Sequence, residues 1–297
     1  MTEEKRRLVH AEARESRVER GLDVNRVGGR IHPLSDLYHW VMRASWPLTL
    51  VTILVSYLSI NGLFAVLFAL VGGVSNIRPG HPEDYFFFSV ETFATIGYGT
   101  MAPESTIANV LMMLEAFAGI LASALTTGLV FAKFSRPTAR VLFSNVVLIA
   151  GRDGKRTLVF RMANARGNQI VQASVKVVVA HMHRTAEGER IRRLVNLDLV
   201  RSESALFALT WTAMHEIDEK SPFFGKDAAW MKEKEVGLIA TLMGHDDTIG
   251  QTVHARHSWD WEQIIEEGRF VDVLTDHPDG TRTLDLTKFH DYTLPAE

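Results

Sequence analysis

A chain of 297 residues has room for about two domains. Its 46% hydrophobic content and formal net charge of −3 give no electrostatic reason to bind nucleic acid, and its Lys and Arg residues form no zinc-finger, RNP or phosphate-loop pattern. With no Cys it has neither a disulfide framework nor a thiolate nucleophile or metal site, which suits a part facing a reducing cytoplasm.

Residues 1–33 mix charges of both signs, with Lys5, Arg6, Arg7, Arg14, Arg17 and Arg20 among Glu3, Glu4, Glu12, Glu15 and Glu19. No apolar stretch follows at signal-peptide distance, so this part reads as a loose or helical cytoplasmic tail. Next, Leu34, Leu37, Tyr38, Val41 and Met42 recur at helical spacing against Asp36, His39 and Arg43. That pattern predicts an interfacial helix over 34–43 on the inner membrane surface, broken near Pro47 from the apolar segment after it.

From Ala44 to Ile77 there is no Lys, Arg, Asp or Glu, and residues 46–71 are long enough for a tilted transmembrane helix, with Asn61 and Gly62 as packing points. A second span, 105–132, carries a single charge, Glu115. Between them come a polar turret at Arg78-Pro79-Gly80, an aromatic helix over 83–94 and the pentapeptide Thr95-Ile96-Gly97-Tyr98-Gly99. The aromatic helix would be about 18 Å long, half a membrane, and reentrant. Arg30 and Arg43 precede the first span and Lys133, Arg136 and Arg140 follow the second, while the connecting segment has only Arg78, so both termini are placed in the cytoplasm, with a multi-pass location in the cell (inner) membrane.

After Pro137 the texture changes to short β-branched runs at 145–150, 157–162, 171–180, 191–201, 236–243 and 270–275, with Asp153-Gly154 and Asp279-Gly280 as hairpin turns and one short helix at 226–234. This is an all-β sandwich pattern over 138–297.

The chemistry lies in the pentapeptide. An ion crossing hydrocarbon needs its hydration shell replaced, and backbone carbonyls can do that if all point at one axis. Gly97 and Gly99 permit backbone angles denied to residues with a Cβ. The carbonyls of Thr95, Ile96, Gly97 and Tyr98, with the Thr95 hydroxyl, would then stack as oxygen layers holding K+, and the C-terminal dipole of the preceding helix would favour the cation. The TVGYG loop of potassium channels is a known solution of this kind, and Thr95–Gly99 matches it except for Ile96. One chain supplies only a quarter of each layer, which implies a homotetramer, each chain joined by three identical subunits. On the second span Gly119, Ser123, Thr127 and Phe131 recur at four-residue spacing. They predict a face lining a wet cavity, closed at its inner end by a dewetting gate at Phe131; the alternative is a small-residue helix contact at Gly119 and Ser123. A carboxylate at the bilayer centre costs about 2.5–3.5 kcal/mol, so Glu115 is expected to face protein, either in the cavity or behind the aromatic helix.

The run from Trp46 through Pro137 with its Thr95–Thr100 loop, then Ala163-Asn164-Ala165-Arg166 and the stretch His215-Glu216-Ile217-Asp218-Glu219-Lys220-Ser221-Pro222, resembles the inward-rectifier potassium channels, bacterial branch, from about Asp36 to Phe289. The resemblance implies a two-span α-helical pore with a reentrant pore helix above a cytoplasmic immunoglobulin-like β-sandwich, no cofactor, and K+ as the permeant ion. It places an anionic-lipid site at Arg43, Lys133, Arg136 and Arg140, where each basic residue is worth roughly 1 kcal/mol toward acidic lipid. Strong rectifiers carry acids where Ser123 and the vestibule residue Gln172 stand here, so only weak block by polyamine, Mg2+ or Ba2+ is expected. Animal members brace the filter with a Glu–Arg pair; Glu91 matches the acid, but Met101 replaces the Arg, so Glu91 needs another partner such as a filter amide or hydroxyl. Histidines are expected to be surface or vestibule groups, with a pH-sensing role left open: His181 and His183 share a strand face, but no HExxH-type metal unit occurs, and an enzyme is disfavoured. Two other readings are a poorly selective cation channel, which Tyr98 and Gly99 oppose, and a membrane-anchored binding module, which leaves the pentapeptide unexplained.

Overall fold

The computed structural model describes residues 7–9, 33–137 and 139–295. The chain divides into two compact units, residues 26–136 and residues 137–297 together with 1–25.

The first unit is helical. Helix α1, Pro33–Arg43, is followed by α2, Trp46–Val71; α3, Glu83–Phe93; and α4, Thr106–Phe134. The break before α2 has a local cause: Ser45 is extended, and Pro47 falls in the first turn, where a missing N–H costs nothing. Thr49 closes that turn through both its N–H and its hydroxyl, each donating to the Ser45 carbonyl at 3.0 Å. Helix α4 starts under a Ser105 cap that accepts from the Ala108 N–H at 3.1 Å. Both α2 and α4 are long and apolar enough to cross a bilayer. Glu83 and Asp84 in the first turn of α3 complement its dipole, and its rings pack edge-on against α2, Phe88 on Phe68 at 4.9 Å and Phe93 on Tyr57 at 5.6 Å between centroids. The aromatic stretch thus seats a short helix against the first span.

The second unit is a β-sandwich. Its strands are β1 (Arg7–Val9), β2 (Val141–Phe143), β3 (Val147–Arg152), β4 (Lys155–Asn164), β5 (Ile170–Arg184), β6 (Arg190–Leu197), β7 (Glu203–Phe207), β8 (Thr210–Glu216), β9 (Gly237–Asp246), β10 (Gln251–Asp260), β11 (Ile264–Glu266), β12 (Arg269–Phe270), β13 (Leu274–Asp276), β14 (Arg282–Leu284) and β15 (Tyr292–Leu294), with the short helix α5 (Ala228–Glu233). One five-stranded sheet runs β10-β9-β5-β6 with β7 also on β5; the other runs β11-β3-β4-β2 with β8 on β4. Their inner faces share a core that includes Phe160, Val175, Val179, Trp211, Leu242 and Trp259. The Trp259 indole reaches across to donate to the Ser144 carbonyl at 2.7 Å.

A third, three-stranded sheet, β1-β15-β12, joins the N-terminal strand to the C-terminal one. Arg161 fastens this region: its guanidinium donates to the carbonyls of Phe289 (2.5 Å), Val271 (2.6 Å), Lys288 (2.7 Å) and Asp291 (3.4 Å) and stacks on Phe270 and Phe289. Burial pulls its pKa down to about 10, which leaves it charged at neutral pH.

Several expectations change here. The tail reading of 1–33 falls mostly outside the described residues, but Arg7–Val9 is a strand, because the edge of β15 offers it a partner. The run 191–201 stops at Leu197, where Asp198 turns its carbonyl to the His215 ring at 2.7 Å. The run 270–275 divides into β12 and β13, which belong to different sheets. Strand β10 went unread because its His and Arg residues mask the alternation that buries Val253 and Trp259.

Candidate functional site

The pentapeptide grows directly out of α3. The Ala94 N–H donates to the Val90 carbonyl at 3.0 Å and the Thr95 N–H to Thr92 at 3.1 Å; the Ile96 N–H then turns back to the Glu91 carbonyl at 2.8 Å, with Gly97 at 3.4 Å. Positive φ alternates along the loop: 57° at Thr95, 62° at Gly97 and 78° at Gly99. Alternation of left- and right-handed residues keeps a chain nearly straight while turning successive carbonyls to one side, as an ion-binding strand requires. The glycines take this conformation freely, but Thr95, which is β-branched, takes it at a cost of about 1–3 kcal/mol. The sequence reading assigned the special backbone to the glycines alone.

The outer segment is tied down around this loop. Asn76 donates to the Thr100 carbonyl at 2.6 Å, and Ser75 and Ala102 exchange bonds at 2.8–3.1 Å. Arg78 grips Asp84 at the start of α3 through three N–H groups, the closest at 2.6 Å, and its guanidinium holds the Asp84 carboxyl down to about 2. No sequence rule pairs residues at this spacing.

Behind α3 the three helices meet at a polar cluster. Ser89 lies against Glu115 Oε1 and 3.2 Å from Asn61 Oδ1, and Asn61 Nδ2 donates to the Tyr57 carbonyl at 2.8 Å. All three side chains are fully buried. Of the two places left open for Glu115, the structure selects the one behind the pore helix.

The four-residue ladder on α4 separates. Gly119, expected to line a cavity, is buried against α3, where a Cβ would collide with the Phe93 carbonyl. Ser123 and Thr127 are exposed, and Phe131 is 70% exposed. The reason is geometric: a step of four residues overshoots a turn by about 40°, so Gly119 and Phe131 are about 120° apart around the helix.

Lys133 is a second correction. Expected to face acidic lipid, it is 8% exposed and turned inward, donating at 2.7 Å to both the Val41 and Ala44 carbonyls, with its ammonium 5.6 Å from the Trp46 ring centroid. It satisfies carbonyls that the end of α1 leaves unpaired. Arg136 donates to the adjacent Met42 carbonyl at 3.2 Å but stays exposed, as do Arg43 and Arg140. The Glu91 carboxylate receives no hydrogen bond among the described residues; its backbone carbonyl meets the Ile96 and Gly97 amides instead.

In the β unit, Gln172 is exposed at the β5 bulge, with φ of 49°. The stretch His215–Pro222 runs from the end of β8 into a tight turn: His215 Nε2 lies 2.8 Å from Ser221 Oγ, and the Ser221 N–H donates to Asp218. Among the described residues no three His, Asp or Glu cluster as a metal site.

A two-span unit with a half-membrane helix feeding a loop of alternating handedness, followed by a β-sandwich, defines an ion channel of the potassium class. The family descriptions agree: "Inward rectifier potassium channel C-terminal domain" matches residues 141–295 and "Ion channel" matches 52–136. The chain belongs to the inward rectifier potassium channel family, prokaryotic branch. It is 44% identical over 259 residues to the inward rectifier potassium channel Kirbac3.1 of Paramagnetospirillum magnetotacticum, covering 87% of this chain and 88% of that one. It is also similar to the G protein-activated inward rectifier potassium channels 4 of Mus musculus, at 34% identity, and 2 of Homo sapiens, at 33%, in each case over 69% of this chain and 51% of the relative. The chain therefore spans about half the length of those animal relatives.

Proposed function

We propose that four copies of this chain surround one pore in which the carbonyls of Thr95, Ile96, Gly97 and Tyr98 strip and select K+, moving passively down its gradient. The observation that carries this is the alternation of positive φ at Thr95, Gly97 and Gly99. Exposure supports the tetramer: the Tyr98 ring is 73% exposed and Ile96 is 46% exposed in a single chain, apolar surface that neighbouring copies would cover.

Below the filter, Ser123 and Thr127 line the cavity and Phe131 forms the inner gate. Neither Ser123 nor Gln172 offers a carboxylate to a polyamine or Mg2+, so block is weak. Anionic lipid acts through Arg43, Arg136 and Arg140, whose guanidinium groups are exposed. The protein lies in the inner membrane with both termini and the β-sandwich in the cytoplasm, and the pairing of Arg78 with Asp84 suits an outer face with little free positive charge.

Rubidium uptake into proteoliposomes, with sodium as competitor, tests the reading. Uptake that sodium does not suppress is expected for the wild type and should be lost in Gly97→Ala. Equal uptake of both ions, or none from a correctly folded tetramer, overturns it.

A further inference from the structure

The fully buried carboxyl group behind α3 is used by nothing described so far. Its hydrogen-bond partners limit where the protons can lie. The Tyr57 carbonyl can only accept, so the Asn61 amide must present Nδ2 to it and Oδ1 to Ser89. Ser89 owns one hydroxyl hydrogen, yet it lies between two oxygens, Asn61 Oδ1 and Glu115 Oε1. If that hydrogen goes to Asn61, the contact with Glu115 is a bond only when Glu115 supplies the second hydrogen.

The surroundings point the same way. Among the described residues Glu115 Oε2 has no hydrogen-bond partner, a condition that a neutral carbonyl oxygen tolerates far better than a carboxylate oxygen. No cation faces it. From α2 the facing groups are Asn61 and the Tyr57 carbonyl; α2 contains no Lys, Arg, Asp or Glu. The ionisable groups of α3 besides Tyr85 are the acids Glu83, Asp84 and Glu91, and Asp84 is already held by Arg78. On α4 the other charge is Lys133, about 27 Å along the axis and engaged with α1.

We propose that Glu115 is protonated and donates a hydrogen bond to the Ser89 oxygen while Ser89 donates its own hydrogen to Asn61 Oδ1, a chain of two hydrogen bonds that locks the pore helix between the two spans. Glu115 is a positioning residue: Ser89 lies two positions before Glu91, whose carbonyl receives the first filter amides, and Gly119, one turn beyond Glu115, abuts the last carbonyl of α3. The functional half of this proposal rests on reading residues 95–99 as the filter; the protonation does not.

The test uses the full chain in lipid vesicles. Infrared spectra in H2O and D2O should contain a protonated-carboxyl stretch that disappears in Glu115→Gln. Gln also donates, so E115Q should keep the rubidium-to-sodium uptake ratio within about twofold of wild type and S89T should behave alike, whereas S89A, which breaks both hydrogen bonds, should lower it by at least about threefold. Identical infrared spectra for wild type and E115Q would mean an ionised Glu115 and overturn the proposal, as would an E115Q ratio as poor as that of S89A. A wild type that moves no rubidium would defeat the channel reading, while the infrared difference would still decide this one.

Discussion

Replacing Lys133 by Met asks whether that ammonium is a structural cap or a lipid contact. The wild-type group donates at 2.7 Å to two carbonyls, Val41 and Ala44, at the junction of α1 and α2. Hydrogen bonds from a charged donor are worth about 1.5–3 kcal/mol each, and the cost of burying the ammonium offsets part of that, leaving roughly 2 kcal/mol for the pair. Met keeps the length of the side chain and removes the ammonium, so the two hydrogen bonds are lost together with the charge's place over the Trp46 ring. A loss of roughly 2 kcal/mol corresponds to about a 30-fold rise in local opening. Hydrogen exchange on the protein in lipid reads this directly: the Ala44 N–H, bonded to Trp40 at 2.9 Å, and the Thr49 N–H, bonded to Ser45 at 3.0 Å, should exchange about that much faster. Unchanged exchange at Ala44 together with an altered response to anionic lipid would refute the cap and restore Lys133 to the lipid surface.

Gly119→Ala puts a methyl group into the Phe93 carbonyl; overpacking of this kind costs about 1–3 kcal/mol, so the protein should melt at lower temperature and rubidium flux should fall, checked by thermal denaturation and uptake. Asp84 has a carboxyl held down to about 2, so the Arg78 clamp contributes in full above the ordinary carboxylate range and is lost progressively as pH falls from there through about 2. Limited proteolysis of the outer segment should therefore be the same at about pH 7 and about pH 6, but faster at both in D84N. Arg161→Met abandons four carbonyls and should destabilise the β-sandwich by at least about 3 kcal/mol, visible as a lower unfolding midpoint in urea. Phe131→Ala should raise resting rubidium uptake, and unchanged uptake would remove Phe131 from the gate.

The features legible in the sequence were those written locally. The charge-free run at 46–71, the Pro47 break and the turn at Asp153-Gly154, where both residues have positive φ, each depend on residues a few positions apart. What sequence did not reveal depends on three-dimensional register. Asn61, Ser89 and Glu115 come from three helices and meet only once those helices pack. The four-residue ladder on α4 looked like one face, but the drift of the helix carries Gly119 away from Phe131. Lys133 looked like membrane anchoring because a basic residue after a span is normally that; what reverses it is the end of α1, 89 residues earlier at Ala44, with carbonyls to cap.

The pairing of β1 with β15 has a topological corollary. Because the N-terminal strand and the C-terminal half of the chain belong to one folded unit, the membrane unit is a sequence insertion, bracketed at both ends by the same β-rich body. The strands that pair stand at opposite ends of the chain, so this sheet can close only after all the helices between them have been synthesised.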